Sequence, residues 1–156
     1  MGLDKDFGLA FAKSQIAASN SLPTKGLAFI SLKNKHKNEG VDLAKKLIKL
    51  NFTLCGTEGT ANIIKENGIK CKKVNKASAG SPNIIDILNS KKIALVINTG
   101  GGKKIHAVQD STSLRRATLI NKVPYCTNMS TAYACLEGIK SLKSKKITVT
   151  SLQDIK

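Results

Sequence analysis

A chain of 156 residues with 41% apolar side chains is long enough to bury one core, and a single compact domain is the expectation. Its 26 Lys and Arg against 10 Asp and Glu give a net charge of +16, which favours an anionic partner; the lysines are spread along the chain and only 4% of residues are aromatic, so no stacking platform is visible and nucleic-acid binding is disfavoured. No stretch approaches the ~20 apolar residues that span a bilayer and the start, MGLDKDF, is no signal sequence, so the chain reads as cytoplasmic with no membrane partner.

Phe7, Phe11, Ile16 and neighbouring alanines predict an amphipathic helix within residues 4 to 18, and SNSLPTKG then reads as a linker. Residues 1–25 are therefore set apart from a main unit over 26–156. In that unit, short Val-, Ile- and Phe-rich runs alternate with segments of helical period, the rhythm of βαβ units and a parallel sheet. Strands are expected at Leu27–Ser31, Phe52–Cys55, Cys71–Val74, Ile93–Ile97, Val123–Cys126 and Ile147–Thr150. Leu43, Ala44, Leu47 and Ile48 recur at helical spacing, as do Ile84, Ile85 and Leu88, with Pro82 expected in that helix's first turn. A further helix is expected around Leu114, Ala117 and Thr118, with Ser111 as its N-cap. The cysteines Cys55, Cys71, Cys126 and Cys135 have no metal-ligand spacing and read as small buried apolar residues; no metal site is expected.

In an open parallel sheet, ligands bind outside the carboxyl ends of the strands. The loops there carry Lys37 in KNKHKNEG, Thr57 and Thr60 in CGTEGTA, Lys76 in NKASAGSP, and Asn98, Thr99 and Gly100 in NTGGG. Lysines supply charge, hydroxyls and helix N-termini donate to phosphate oxygens, and glycine admits close backbone approach. Four such loops on one edge point to a shared anion pocket. No single loop decides: in a Walker A reading Gly102-Lys103 is followed by Lys104 rather than Ser or Thr, and the dinucleotide fingerprint is absent. Catalysis has few candidates. His36 and His106 are the only histidines, and Asp86 and Asp110 are the only carboxylates near the glycine loops, so no catalytic residue is assigned.

MGLDKDFGLAFAKSQIAA, GLAFISL, CGTEGTA, VNKASAGSPNIIDIL, VINT and DSTSLRRATL, in this order, resemble the methylglyoxal-synthase-like domains, most closely the carboxyl-terminal allosteric domains of carbamoyl phosphate synthetase large subunits. The resemblance implies a Rossmann-like three-layer α/β/α sandwich with a parallel sheet. It also implies that residues 1–25 join a preceding synthetase region and that the chain is one domain of a larger enzyme of arginine and pyrimidine biosynthesis. ATP and metal ions would then belong to synthetase domains outside it, with the glutaminase small subunit as a further partner. Self-association into a homo-oligomer is an open alternative. In the bacterial relatives the domain binds UMP and IMP at one pocket and ornithine at its border. Carried over by motif, nucleotide contacts fall on Lys37, Thr57, Thr60, Lys76, Asn98, Thr99 and the backbone of Gly100, with Asp110, Ser111 and Leu114 nearer ribose and base. Ornithine-side contacts fall on Tyr125 and Thr127. This sequence departs from the enterobacterial pattern in a longer stretch between Asn98 and Asp110, where Gly100 and Gly101 replace small hydroxyl residues. The alternatives are a methylglyoxal synthase, whose Gly-Gly-Asp aspartate is replaced here by Ala79-Gly80-Ser81, and a basic nucleic-acid-binding module.

Overall fold

The computed structural model describes residues 1–100, 105–151 and 153. Five parallel strands form one sheet in the order β3-β2-β1-β4-β5: β1 Gly26–Ser31, β2 Phe52–Gly56, β3 Lys72–Lys73, β4 Ile93–Asn98 and β5 Tyr125–Cys126. The helices are α1 Phe7–Ala17, α2 Lys37–Lys49, α3 Glu58–Glu66, α4 Ile84–Asn89, α5 Ile105–Ile120 and α6 Met129–Ser144. The strand order reverses between β1 and β4, so the crevice outside their carboxyl ends is the topological switch point. This is the expected Rossmann-like α/β sandwich.

The central strands are buried on both faces, as parallel strands flanked by helices must be. Ala28 and Ile30 of β1 join Leu95 and Ile97 of β4 in a cluster with Leu43 and Leu47 of α2, Ile64 of α3, and Leu136 and Ile139 of α6. Phe29 and Val96 point the other way, to Ile84 and Leu88 of α4 and to Leu114 and Ala117 of α5.

α1 closes the first of these faces by lying on α6. Asp6 caps α1 by accepting from Leu9 N at 2.9 Å, and its carboxylate also accepts from Ser141 Oγ of α6 at 2.7 Å. Glycines allow the two helices to touch: a Cβ on Gly8 would stand 2.5 Å from Glu137 O, and one on Gly138 would stand 3.3 Å from Phe11 Cδ1. Phe7 remains exposed, stacked beside Phe11.

Several expected elements differ. No strand forms over 147–150, where Ile147 and Val149 are exposed; β-branched residues make a strand only beside a partner edge. The edge strands β3 and β5 are also shorter than the apolar runs suggested. Pro82 lies before α4 rather than in its first turn. Asn83 is the N-cap, with a capping box in which Asn83 Oδ1 accepts from Asp86 N and Asp86 Oδ2 accepts from Asn83 N. Ser111 is not an N-cap: α5 already begins at Ile105, so Asp110 and Ser111 lie inside the helix. All four cysteines are free and buried, and burial pushes the Cys55 thiol up to about 12 and the Cys71 thiol to about 11. No described helix is long and apolar enough to cross a membrane.

Candidate functional site

Along a strand, alternate residues share a face. Phe29 and Ser31 at the end of β1 therefore look to the same side of the sheet, as do Val96 and Asn98 on β4. Where α5 and the 3-10 turn Ala77–Ala79 stand off from this edge, an apolar chamber of about 80 Å³ opens. Its walls are Phe29, Ile84 and Leu114, and its rim includes Lys76, Asp110 and Ser111. A polar chamber of about 300 Å³ adjoins it, lined by Lys37, Thr57, Gly59 and Thr60. Ser31, Thr57, Lys76 and Gly100 line both chambers, so the two form one bipartite cleft across the switch point.

The polar chamber is built around the N-terminus of α3. Thr57 is the N-cap residue, yet its side chain makes no capping bond; its hydroxyl instead donates to Thr60 Oγ1 at 3.3 Å. Thr60 Oγ1 also accepts from Leu32 N at 3.0 Å, which ties α3 to the loop after β1. A Cβ on Gly59 would meet Lys37 Nζ at 3.2 Å, so the ammonium of α2 lies over the first turn of α3. Helix dipole and lysine thus converge on one point, an arrangement suited to an anion. The carboxylate that would oppose this, Glu58, is paired with Lys73 of β3, and that hydrogen bond holds its carboxyl below the usual range.

The loop after β4 is held from within. Asn98 Oδ1 accepts from Gly100 N at 2.9 Å and Asn98 Nδ2 donates to Tyr125 OH at 2.9 Å, so this buried amide is committed on both sides. Thr99 is buried behind the cleft wall: its Oγ1 accepts from Lys33 N at 3.2 Å and lies 3.0 Å from His36 Nδ1. The loops after β1 and β4 are fastened together by these bonds and by Thr99 N donating to Ser31 O at 3.0 Å.

The structure thus brings Lys37, Thr57, Thr60, Lys76, Asn98, Gly100, Asp110, Ser111 and Leu114 to one cleft. Thr99 braces that cleft without lining it. Tyr125 reaches it only through Asn98, and Thr127 lies exposed after β5. Gly101, Gly102, Lys103 and Lys104, the rest of the glycine-rich loop, lie outside the described residues. Sequence reasoning passed over Phe29 and Ser31, although strand alternation places both beside Asn98. It also passed over Ser78, whose N and Oγ donate to the two oxygens of Asp110 at 2.8 and 3.0 Å. No group of three or more His, Cys, Asp or Glu suited to a metal occurs among the described residues.

Residues 39–127 match the family model of the MGS-like domain. Over 155 residues, 99% of its length, the chain is 44% identical to "Carbamoyl phosphate synthase large chain, C-terminal section" of Methanopyrus kandleri, of which it spans 28%. Over 154 residues it is 44% identical to the carbamoyl phosphate synthase large chain of Mesorhizobium japonicum, of which it spans 13%. The chain therefore spans less than a third of the length of these curated relatives. Among solved structures, the methylglyoxal synthase from Elizabethkingia anophelis NUHP1 superposes with a TM-score of 0.58 at 19% identity, over 74% of this chain and 79% of that one. At that identity the likeness is one of fold.

Proposed function

This chain belongs to the MGS-like domain family, and we propose that it is the allosteric domain of a carbamoyl phosphate synthetase large chain, binding a nucleoside monophosphate in the bipartite cleft. One observation carries the reading: a polar, doubly cationic chamber at a helix N-terminus opens directly into an apolar one. A nucleoside monophosphate has that polarity. The phosphate takes the N-terminus of α3, with Lys37 and Lys76 supplying charge and Thr57 and Thr60 placed to donate. The base lies against Phe29, Ile84 and Leu114, with Asp110 and Ser111 at the ribose.

UMP and IMP are the effectors the resemblance implies, with ornithine on the Tyr125 and Thr127 side. In this proposal residues 1–25 connect to the preceding synthetase region, the chain holds no cofactor itself, and ATP, metal ions and the glutaminase subunit are engaged elsewhere in the synthetase. A sensing role rather than a catalytic one is supported by the carboxylates. Asp110 is the only one lining the apolar chamber among the described residues, and both its oxygens already accept from Ser78. Among the described residues, no unengaged carboxylate faces that chamber to take a proton from a substrate.

The test is calorimetric titration of UMP, IMP and inorganic phosphate into wild type and Lys76→Ala. The expected result is saturable nucleotide binding that weakens roughly ten- to a hundredfold in the variant, the worth of one charge-assisted hydrogen bond. Absence of binding at millimolar nucleotide, or equal affinity for both proteins, would refute the assignment.

A further inference from the structure

Resting on the nucleotide reading, we propose that Ser78 is a built-in competitor for the ribose diol. It occupies Asp110 in the free protein and is displaced when a ribonucleotide binds. Asp110 reaches from α5 across the mouth of the apolar chamber, and its two oxygens accept from Ser78 N and Ser78 Oγ at 2.8 and 3.0 Å. The connectivity of those donors matters. N–Cα–Cβ–Oγ of a serine and O–C–C–O of a vicinal diol are both four-atom chains with a hydrogen-bond donor at each end. A carboxylate that accepts one pair across its two oxygens can accept the other in the same place, so the two donor pairs compete for that bidentate position.

The chamber shows what displacement provides. At about 80 Å³ the apolar half of the cleft has room for only part of a base and ribose, and full entry follows when a wall retracts. The retractable wall is the 3-10 turn Ala77–Ala79, which faces α5 and carries Ser78. Beyond the Ser78 clasp, the turn's hydrogen bonding to residues outside 76–79 reduces, among the described residues, to Asn83 Nδ2 donating to Ala77 O at 3.5 Å, while Ala77 packs against the apolar cluster and the base of the loop is closed by Ile84 N donating to Asn75 O. The turn runs into Gly80 at φ +77, a glycine with open space around it whose missing Cβ leaves both left- and right-handed backbone conformations accessible. Lys76, the residue before the turn, lines both chambers, so releasing the clasp also releases the loop that carries the phosphate-facing lysine. Ser78 thereby sets specificity: a ligand with a free diol recovers the lost bonds at Asp110, and one without it does not.

The experiment compares wild type with Ser78→Ala, a change in an exposed turn, against three probes: UMP, 2′,3′-dideoxyuridine 5′-monophosphate and inorganic phosphate. Removing the Oγ donor is expected to tighten UMP roughly three- to tenfold, about one hydrogen bond, and to tighten the dideoxy nucleotide by a similar factor from a weaker starting affinity, while leaving phosphate, which does not enter the apolar chamber, unchanged. Amide exchange supplies a second readout. Ser78 N–H is expected to be protected in the free protein and to lose protection when UMP binds, as amides around the cleft gain it. UMP affinity unchanged or weakened in Ser78→Ala, or a Ser78 amide that gains protection in the complex, overturns the competitor and leaves the nucleotide site standing. If neither protein binds any nucleoside monophosphate, both fall together.

Discussion

The two faces of the sheet are closed to different degrees. The face covered by α2, α3 and α6, with α1 over α6, gathers a continuous cluster of 21 buried residues among those described, against nine on the face covered by α4 and α5. The thin face rests on a six-residue helix and on α5, whose buried Leu114, Ala117 and Thr118 lie opposite the exposed Ile105, Val108 and Leu119. At the carboxyl edge it leaves the apolar chamber uncovered, and the cleft opens there. Most of the core thus lies on the thick face, while the cleft crosses the sheet edge, its apolar half on the thin face and its polar half at the N-termini of α2 and α3.

The sharpest way to break this division is to cut the same side chain on each face. Leu95→Ala removes a fully buried residue of β4 from the thick face and is expected to cost about 3–5 kcal/mol in urea unfolding. Leu114→Ala on the thin face is expected to cost less, about 2–3 kcal/mol, because its neighbours already border open space, but it should weaken nucleotide binding. Equal losses, with no effect of Leu114→Ala on binding, would erase the distinction. The next effect concerns α1. Gly8→Ala drives a methyl against Glu137 O and Ser141 Oγ of α6, and is expected to cost about 1–3 kcal/mol while leaving nucleotide affinity intact.

The thick face was legible in the sequence because its signal is periodic: Leu43, Ala44 and Leu47 on α2 declare a helix and its buried side without reference to any neighbour. The four ligand-facing loops could be found by the same local reading, since each follows a strand. What escaped were features fixed by a distant partner. Asp110 and Ser111 read as a cap, but α5 starts earlier with apolar residues that the fold leaves exposed, and Asp110 bonds a turn 32 residues away. Thr99 has the composition of a phosphate contact, yet its hydroxyl is spent on Lys33 N and His36. Ile147 to Thr150 has strand composition and pairs with no strand.

A smaller effect sharpens the comparison through pH. The Lys145 ammonium first, then the Ser141 hydroxyl and Leu9 N–H, hold the Asp6 carboxyl far below its ordinary value of 3.8. A carboxylate depressed in the folded state contributes stability above its unfolded pKa and loses it as pH falls through the folded one. Acidification below about pH 4 is therefore expected to speed amide exchange in α1 before it does so in α5. Simultaneous loss in both helices would show that α1 is not held by this carboxylate.

The central claim, that the bipartite cleft across the switch point is a nucleotide site, is tested most directly by following backbone amide resonances while UMP is added. The account predicts saturable shifts at Gly59, Ala77, Gly100 and Leu114, with α1 and the far end of α6 unmoved. No saturable shift at millimolar UMP, or shifts confined to the α1 and α6 side, would contradict it.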